Sequence, residues 1–245
     1  MLKLENLELQ NGVKINSTFL ENNRYVIIGA NGSGKSTLLK TIAGLILGKK
    51  GEIFYNDDLL KKLSPSFRSS IISYLPQSFT PSSYIKVIDF VLIGAIIPSR
   101  KIFLEYRKNS YDEALTLLKD LEILHLKEKD INELSGGELM LVSFARSIMQ
   151  NSLFLLLDEV ESGLDYKHLE IYRHYLKNNL ANKGIIEVTH NLNYVLNLGS
   201  DTKVLAIIND EFFEYRVDEI TSEILEKIYH VPIKIHGLEG LRFCI

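Results

Sequence analysis

Residues 29–37 read Gly29-Ala30-Asn31-Gly32-Ser33-Gly34-Lys35-Ser36-Thr37, which fits G-x-x-x-x-G-K-[ST] without a mismatch. The preceding Arg24-Tyr25-Val26-Ile27-Ile28 is a short β-branched run that reads as a buried strand. The following Lys35 to Leu45 reads as a helix with Leu38, Leu39 and Ile42 on one face. Strand, Gly-rich loop and helix form the context that this phosphate-binding pattern requires. Glycines let backbone N–H groups approach an anion without a Cβ in the way, and the helix N-terminus adds partial positive charge there. Lys35 is expected to reach the β- and γ-phosphates, and the Ser36 hydroxyl to ligate Mg²⁺. A chance Gly-rich turn is the plain alternative, and the flanking elements argue against it.

The 245 residues suit one large domain or two small ones. With 46% hydrophobic and 24% charged residues, the balance is that of a globular protein. A net charge of −3 gives no basic excess for nucleic acid, so no nucleic-acid partner is expected. The N-terminal Met1 to Leu9 alternates apolar and polar residues, as a half-buried strand does and a signal peptide does not. The longest apolar stretch, Val87 to Pro98, is interrupted by Asp89 and is too short to span a bilayer. A soluble chain that docks on a membrane protein is therefore expected. The single Cys244 has no internal partner, which fits a reducing cytosol.

Along the chain, residues 1–28 read as strands with turns at Asn11-Gly12 and Asn22-Asn23. Gly51 to Tyr55 reads as a strand closed by Asn56-Asp57, and Ile71 to Leu75 as another, stopped by Pro76. From Ser82 to Asn132 the pattern turns helical, with Tyr106 to Leu126 near a 3.6-residue period. Strand-like runs return at Leu153–Leu157, Gly184–Thr189 and Lys203–Ile208, with a helix expected from Tyr166 to Leu180. This alternation implies an α/β fold with a mainly parallel sheet, preceded by an N-terminal antiparallel β subdomain. The expected division is an α/β core of 1–81 and 151–217, a helical subdomain of 82–150, and a tail of 218–245. The tail reads as a helix, Ile220–Tyr229, and a short strand pair.

Three further stretches carry chemistry. Leu153 to Leu157 is an apolar strand ending in Asp158-Glu159, so both acids are expected at its C-terminal edge. Asp158 suits the Mg²⁺ shell, and Glu159 suits a general base that polarises water. An acidic pair alone is usually a solvated turn, and the phosphate loop raises the functional reading. Leu134-Ser135-Gly136-Gly137-Glu138 precedes a helix from about Leu139 to Gln150, with Ser135 and Glu138 spaced as a capping box. Two glycines at a helix N-terminus also leave a bare anion-binding surface. Val188-Thr189-His190 ends a third apolar strand, with His190 on the sheet edge expected for the two acids.

Together these residues resemble the ATP-binding subunit of the ABC transporter family over nearly the whole chain. The Walker A motif is Gly29–Ser36, with Thr37 beside it, and the Q-loop is Tyr74-Leu75-Pro76-Gln77. The signature is Leu134–Glu138, Walker B is Leu153–Asp158 with Glu159, the D-loop is Ser162-Gly163-Leu164-Asp165, and the switch histidine is His190. The resemblance implies an ATPase that uses ATP and Mg²⁺ and acts as a head-to-tail homodimer. Each ATP would lie between the phosphate loop of one copy and Ser135, Gly136, Gly137 and Glu138 of the other. Gln77 would sense Mg²⁺ and couple to a polytopic membrane permease, His190 would meet the γ-phosphate, and Asp165 would communicate across the dimer. A substrate-binding protein would be an indirect partner, and the chain would sit in the cytoplasm on the inner face of the membrane.

No Phe, Tyr or Trp precedes Phe19, where the family usually stacks adenine, so weak discrimination between ATP and GTP is expected. Phe19 itself reads as a core strand residue. Leu139-Met140-Leu141 stand where Gln and Arg are usual and are expected to join the core. Val87 to Gly94, His190-Asn191-Leu192-Asn193, Leu164 to His168 and Ile228 to Ile235 are similar to the importers of iron–siderophore, haem and cobalamin. The alternatives are an ATPase for another metal ion, an exporter, a soluble ABC ATPase such as that of iron–sulfur cluster assembly, and a binding module without turnover.

Overall fold

Tyr25 to Gly29 are buried without interruption, and they form the strand Arg24–Gly29. It has parallel neighbours on both sides, Gly184–Val188 and Lys203–Ile208. A strand covered on every side reads as a continuous apolar run, which is why this one was legible. The structure is a computed structural model and describes residues 1–97, 105–238 and 240–245. The chain forms two units, residues 1–62 with 184–245 and residues 63–183.

In the first unit the strands lie in the order Asp58–Leu59, Lys50–Tyr55, Leu2–Glu8, Lys14–Phe19, Glu211–Arg216, Lys203–Ile208, Arg24–Gly29, Gly184–Val188. Leu2–Glu8 pairs antiparallel with Lys14–Phe19 and with Lys50–Tyr55, giving the expected N-terminal antiparallel part. Gly51 is obligatory here, since a Cβ on it would sit 2.3 Å from the Asn6 carbonyl oxygen. The strand Glu211–Arg216 was not foreseen. It returns antiparallel through Asn209-Asp210, both at positive φ, the backbone that a two-residue hairpin turn demands. Helix Ser222–Tyr229 starts two residues later than expected because Thr221 caps it. Its Leu225 and Ile228 join Val26, Ile28, Val204 and Ala206 in one core cluster. The expected terminal strand pair is Ile235–Leu238 with Leu241–Cys244. Phe19 is fully buried edge-on against Tyr25, as its core reading required.

In the second unit Ile72–Leu75 runs parallel to Phe154–Asp158. The first of these starts one residue late because Ile71 closes an unforeseen helix, Pro65–Ile71, capped by Ser64. The expected helix Tyr106–Leu126 is shorter. Tyr106 pairs with Ile96, Asn109 is left-handed, and the helix proper is Ser110–Asp120, stopped before left-handed Glu122. Residues 98–104 of the expected helical subdomain, Pro98 included, lie outside the described residues. Helix Val87–Leu92 approaches helix Gly136–Met149 closely, and a Cβ on Gly94 would meet the Arg146 carbonyl oxygen at 2.1 Å. Met140 and Leu141 are buried and Leu139 is half-buried, so this apolar triplet does join the core. Among the described residues no helix is long and apolar enough to cross a membrane. The α/β class thus holds, with parallel strands, N-terminal antiparallel strands and a helical insertion that carries Ser135–Glu138.

Candidate active site

The first unit holds one group of the expected residues. Gly32 and Gly34 have φ values of 79° and 105°, a left-handed backbone that bends the loop into helix Lys35–Ile42. Gly34 occupies the cap position, so no side chain competes for the first N–H groups of the helix. The cradle is tight. A Cβ on Gly29 would lie 2.7 Å from Ser33 Oγ, and one on Gly34 would lie 2.6 Å from the Asn11 amide nitrogen. Asn11 braces the loop by donating to the Ser33 carbonyl at 3.1 Å. Ser33 Oγ is buried with no hydrogen-bond partner among the described residues. Lys35 is 5% exposed, and its Nζ donates to the carbonyls of Gly29 and Ala30 at 2.9 and 3.0 Å. These carbonyls hold a positive charge at the loop, a donor set that fits phosphate oxygens. Ser36 and Thr37 follow in the first helical turn, while Asn31 and Gly32 stay exposed.

Register brings His190 to the same edge. Val188 pairs with Ile27, and the Thr189 N–H donates to the Ile27 carbonyl at 3.4 Å. The chain therefore leaves the sheet at His190 beside the point where it leaves at Gly29. His190 is exposed, and Asn191 caps the short helix Leu192–Leu196 that follows.

The second unit holds the other group. Leu75 pairs with Leu157, so Gln77 and the acids come off one edge of that strand pair. Asp158 is only 2% exposed and still belongs to the strand, whereas Glu159 turns out at a φ of 51°. Asp158 is thus at the C-terminal edge of the strand as expected, with its carboxylate kept inside, and Glu159 alone turns out. Its Oδ2 accepts from the Tyr74 hydroxyl at 2.9 Å. Burial, then the adjacent Asp158 charge, pushes the Tyr74 phenol far above its usual range. The Gln77 amide donates to Glu159 Oε2 at 2.9 Å. A left-handed non-glycine residue costs about 1 kcal/mol or more, and here it swings the Glu159 carboxylate toward Gln77. Tyr74 carried no role in the sequence reading, since its partner is chosen by register across 84 residues.

In the same unit Ser135 caps helix Gly136–Met149. Its Oγ accepts from the Glu138 N–H at 3.3 Å, and its own N–H donates to Glu138 Oε2 at 2.8 Å, the expected capping box. The Ser135 N–H holds the Glu138 carboxyl below its usual range. Nothing would meet a Cβ on Gly136 within 4 Å, so that face is open. Gly137 adjoins the turn before helix Tyr166–Asn179, where a Cβ would lie 2.8 Å from His168 Nδ1 and 3.5 Å from Asp165 Oδ2. Asp165 accepts from the His168 N–H at 3.0 Å and pairs with His168 Nδ1 at 2.7 Å, and its carboxyl is depressed chiefly by that N–H. His168 thus links the two motifs, a role that the sequence reading left unassigned. Among the described residues no cluster of His, Cys, Asp and Glu could hold a metal by itself. A single buried carboxylate such as Asp158 fits Mg²⁺, which is usually held by one or two carboxylates together with substrate phosphates.

The family model for ABC transporters matches residues 13–162. An uncharacterized ABC transporter ATP-binding protein of Haemophilus influenzae is 35% identical over 91% of this chain and 85% of its own length. A probable iron chelatin transport ATP-binding protein of Helicobacter pylori is 31% identical over 90% of this chain and 88% of its own. A molybdate/tungstate import ATP-binding protein of Methanocaldococcus jannaschii is 32% identical over 88% and 70%. Among solved structures, an inward-facing metal-chelate type ABC transporter superposes with a TM-score of 0.80 at 26% identity, covering 99% of this chain and 95% of that one. A dimeric ATP-binding cassette bound to ADP and Pi superposes with a TM-score of 0.75 at 25% identity, covering 89% and 99%.

Proposed function

This chain belongs to the ABC transporter family of ATP-binding proteins, and on that premise we propose that it hydrolyses ATP to power an importer of iron–siderophore, haem or cobalamin. The observation that carries hydrolysis, beyond nucleotide binding, is the Glu159 carboxylate held by Gln77 at 2.9 Å at the end of the Asp158 strand. A carboxylate so oriented is poised to take a proton from water. Gly29 to Thr37 bind the nucleotide phosphates through loop N–H groups and the Lys35 ammonium. Ser36, Asp158 and Gln77 are the residues that would hold Mg²⁺, and Tyr74 fixes the Asp158 carboxylate. When bound, the ion neutralises charge on the β- and γ-phosphates. His190 orients toward the terminal phosphate from its sheet edge.

A second copy of the chain supplies Ser135, Gly136, Gly137 and Glu138 to the nucleotide, and Asp165 relays its state. The dimeric cassette with ADP and Pi supports this arrangement. The partners are a polytopic permease and, through it, a substrate-binding protein, which puts the chain on the cytoplasmic face of a membrane. Residues 82–150 serve as the helical subdomain toward the permease, with 1–81 and 151–217 as core and 218–245 as tail. The iron chelatin relative and the metal-chelate structure favour the iron branch. The molybdate/tungstate relative favours a second reading, import of another metal ion or oxyanion.

The test of hydrolysis is phosphate release by Glu159→Gln. It should bind ATP but turn over at least ~10²-fold more slowly, the scale of a lost general base. Unchanged turnover would move the base elsewhere, with His190 next in line. Co-expression with a neighbouring permease, followed by cargo uptake, separates the two importer readings.

A further inference from the structure

Helix Gly136–Met149 packs on strand Ile72–Leu75, and residues of both line a cavity of about 80 Å³. At about 30 Å³ for each water, two or three would fill it, and no metabolite would fit. Most of the polar groups around it have their donors engaged. The Ser73 hydroxyl donates to the Ser147 carbonyl at 3.1 Å, and the Ser147 hydroxyl to the Phe144 carbonyl at 2.7 Å. The Gln150 amide spends its N–H groups on the carbonyls of Ser69 and Ile72, each at 2.7 Å. The Tyr74 hydroxyl is given to Asp158.

Two donors are left. Ser143 is 6% exposed, and its Oγ is buried with no hydrogen-bond partner among the described residues. The Arg146 guanidinium lies over the Phe90 ring, 4.9 Å from its centroid, and no carboxylate among the described residues pairs with it. The two residues sit one helical turn apart, so a single face of the helix presents both to the cavity. Burial lowers the guanidinium from its ordinary range. Water does not neutralise such a charge, and a buried cation without a counter-ion is costly. Guanidinium N–H groups donate and never accept, so the group that completes the site is a negatively charged acceptor. Leu75, Pro76 and Phe79 leave the rest of the wall apolar. One positive charge in so small a space calls for one negative charge, which favours a planar carboxylate over a phosphate dianion.

We propose that this cavity is a carboxylate site, with Arg146 as the counter-ion and Ser143 as the second donor. The carboxylate belongs to a small free acid or to an Asp or Glu side chain of a docking protein, and the chemistry at the cavity is the same. Neither Arg146 nor Ser143 belongs to the nucleotide machinery, so the site stands whether or not the chain hydrolyses ATP.

The test is an NMR titration of the isotopically labelled chain with sodium acetate, and with sodium chloride at equal ionic strength. It follows the Arg146 Nε–H signal, assigned by its loss in Arg146→Lys. Acetate should shift the signal saturably, with a Kd on the order of 1 mM for so small an ion, and chloride should not. Ser143→Ala removes one small buried hydroxyl, should fold as the wild type does, and should weaken acetate binding about tenfold, the scale of a hydrogen bond to a charged group. In thermal melts acetate should raise the Tm of the wild type and leave that of Arg146→Lys in place. N-acetylglutamate amide separates the sources. If it binds as acetate does, the site takes a protein side chain; if acetate alone binds, it takes a free acid. A shift that never saturates, or that chloride reproduces, means water with an adventitious ion only and overturns the site. Unchanged acetate affinity in Ser143→Ala overturns it as well. If Arg146→Lys does not fold, through-bond assignment of the signal leaves the titration and Ser143→Ala to decide.

Discussion

Lys35 is nearly buried, and its ammonium faces the carbonyls of the loop that a triphosphate would enter. Uncompensated phosphate charge is costly in a partly dry site. Lys35→Ala should therefore lose nucleotide binding along with turnover, and near wild-type affinity in a nucleotide titration would displace the site. Tyr229 invites a second prediction. Burial pushes its phenol up to about 12, with the Gly29 backbone opposing and the Cys244 thiol adding. The folded value lies above the free value of 10.0, so the contribution is intact below pH 10 and is lost as pH rises toward 12. Denaturant melts between pH 9 and 11 should show alkaline destabilisation that Tyr229→Phe weakens. The phosphate loop and Asp158-Glu159 were legible at this scale because their chemistry is written in consecutive residues. Tyr74, Asn11 and His168 were not, because their partners lie 84, 22 and 3 residues away and the pairings depend on register or helix direction.

Ser135 serves both as the cap of an element and as a candidate phosphate donor, and two substitutions separate those roles. Ser135→Ala removes the cap acceptor, worth about 1 kcal/mol, and should lower Tm by a few degrees in a thermal melt. Ser135→Asp keeps a good cap and should hold Tm, yet lose turnover because its carboxylate repels phosphate. If both variants keep turnover, Ser135 is a cap only. The Glu138 half of the box is also pH-dependent. Its folded value is lowered by the Ser135 N–H, so its contribution is present above the ordinary carboxylate range and is lost as pH falls through the lowered value. Among the elements, the apolar run foretold the strand Lys203–Ile208, and the helix expected from Tyr166 to Leu180 is Tyr166–Asn179, capped by Asp165. Helix Pro65–Ile71 and strand Glu211–Arg216 escaped because each is short and only partly buried, so neither shows a clean period.

At the scale of the whole molecule, the signature acts on the nucleotide of a second copy if the proposed dimer is right. Mixing Lys35→Ala with Ser135→Arg tests this. Each homodimer has two defective sites, while a mixed dimer carries one site with both wild-type halves. Partial recovery of phosphate release in demonstrated heterodimers is the expected outcome. Full activity of either variant at nanomolar concentration, or no recovery at all, would end the independent shared-site model.

The sequence by itself determined the α/β class, the phosphate loop, the capping box and the family, because each is a local pattern of glycines, caps and apolar runs. Only the tertiary structure decided which side chains stand behind them. Tyr74 meets Asp158 because Leu75 pairs with Leu157, and a one-residue slip would turn it to the other face. Asn193 and Asn197 meet the last strand because the core seats both Leu196 and Cys244. Such partners are set by pairing between distant segments, and no neighbouring residue in the chain carries their signal.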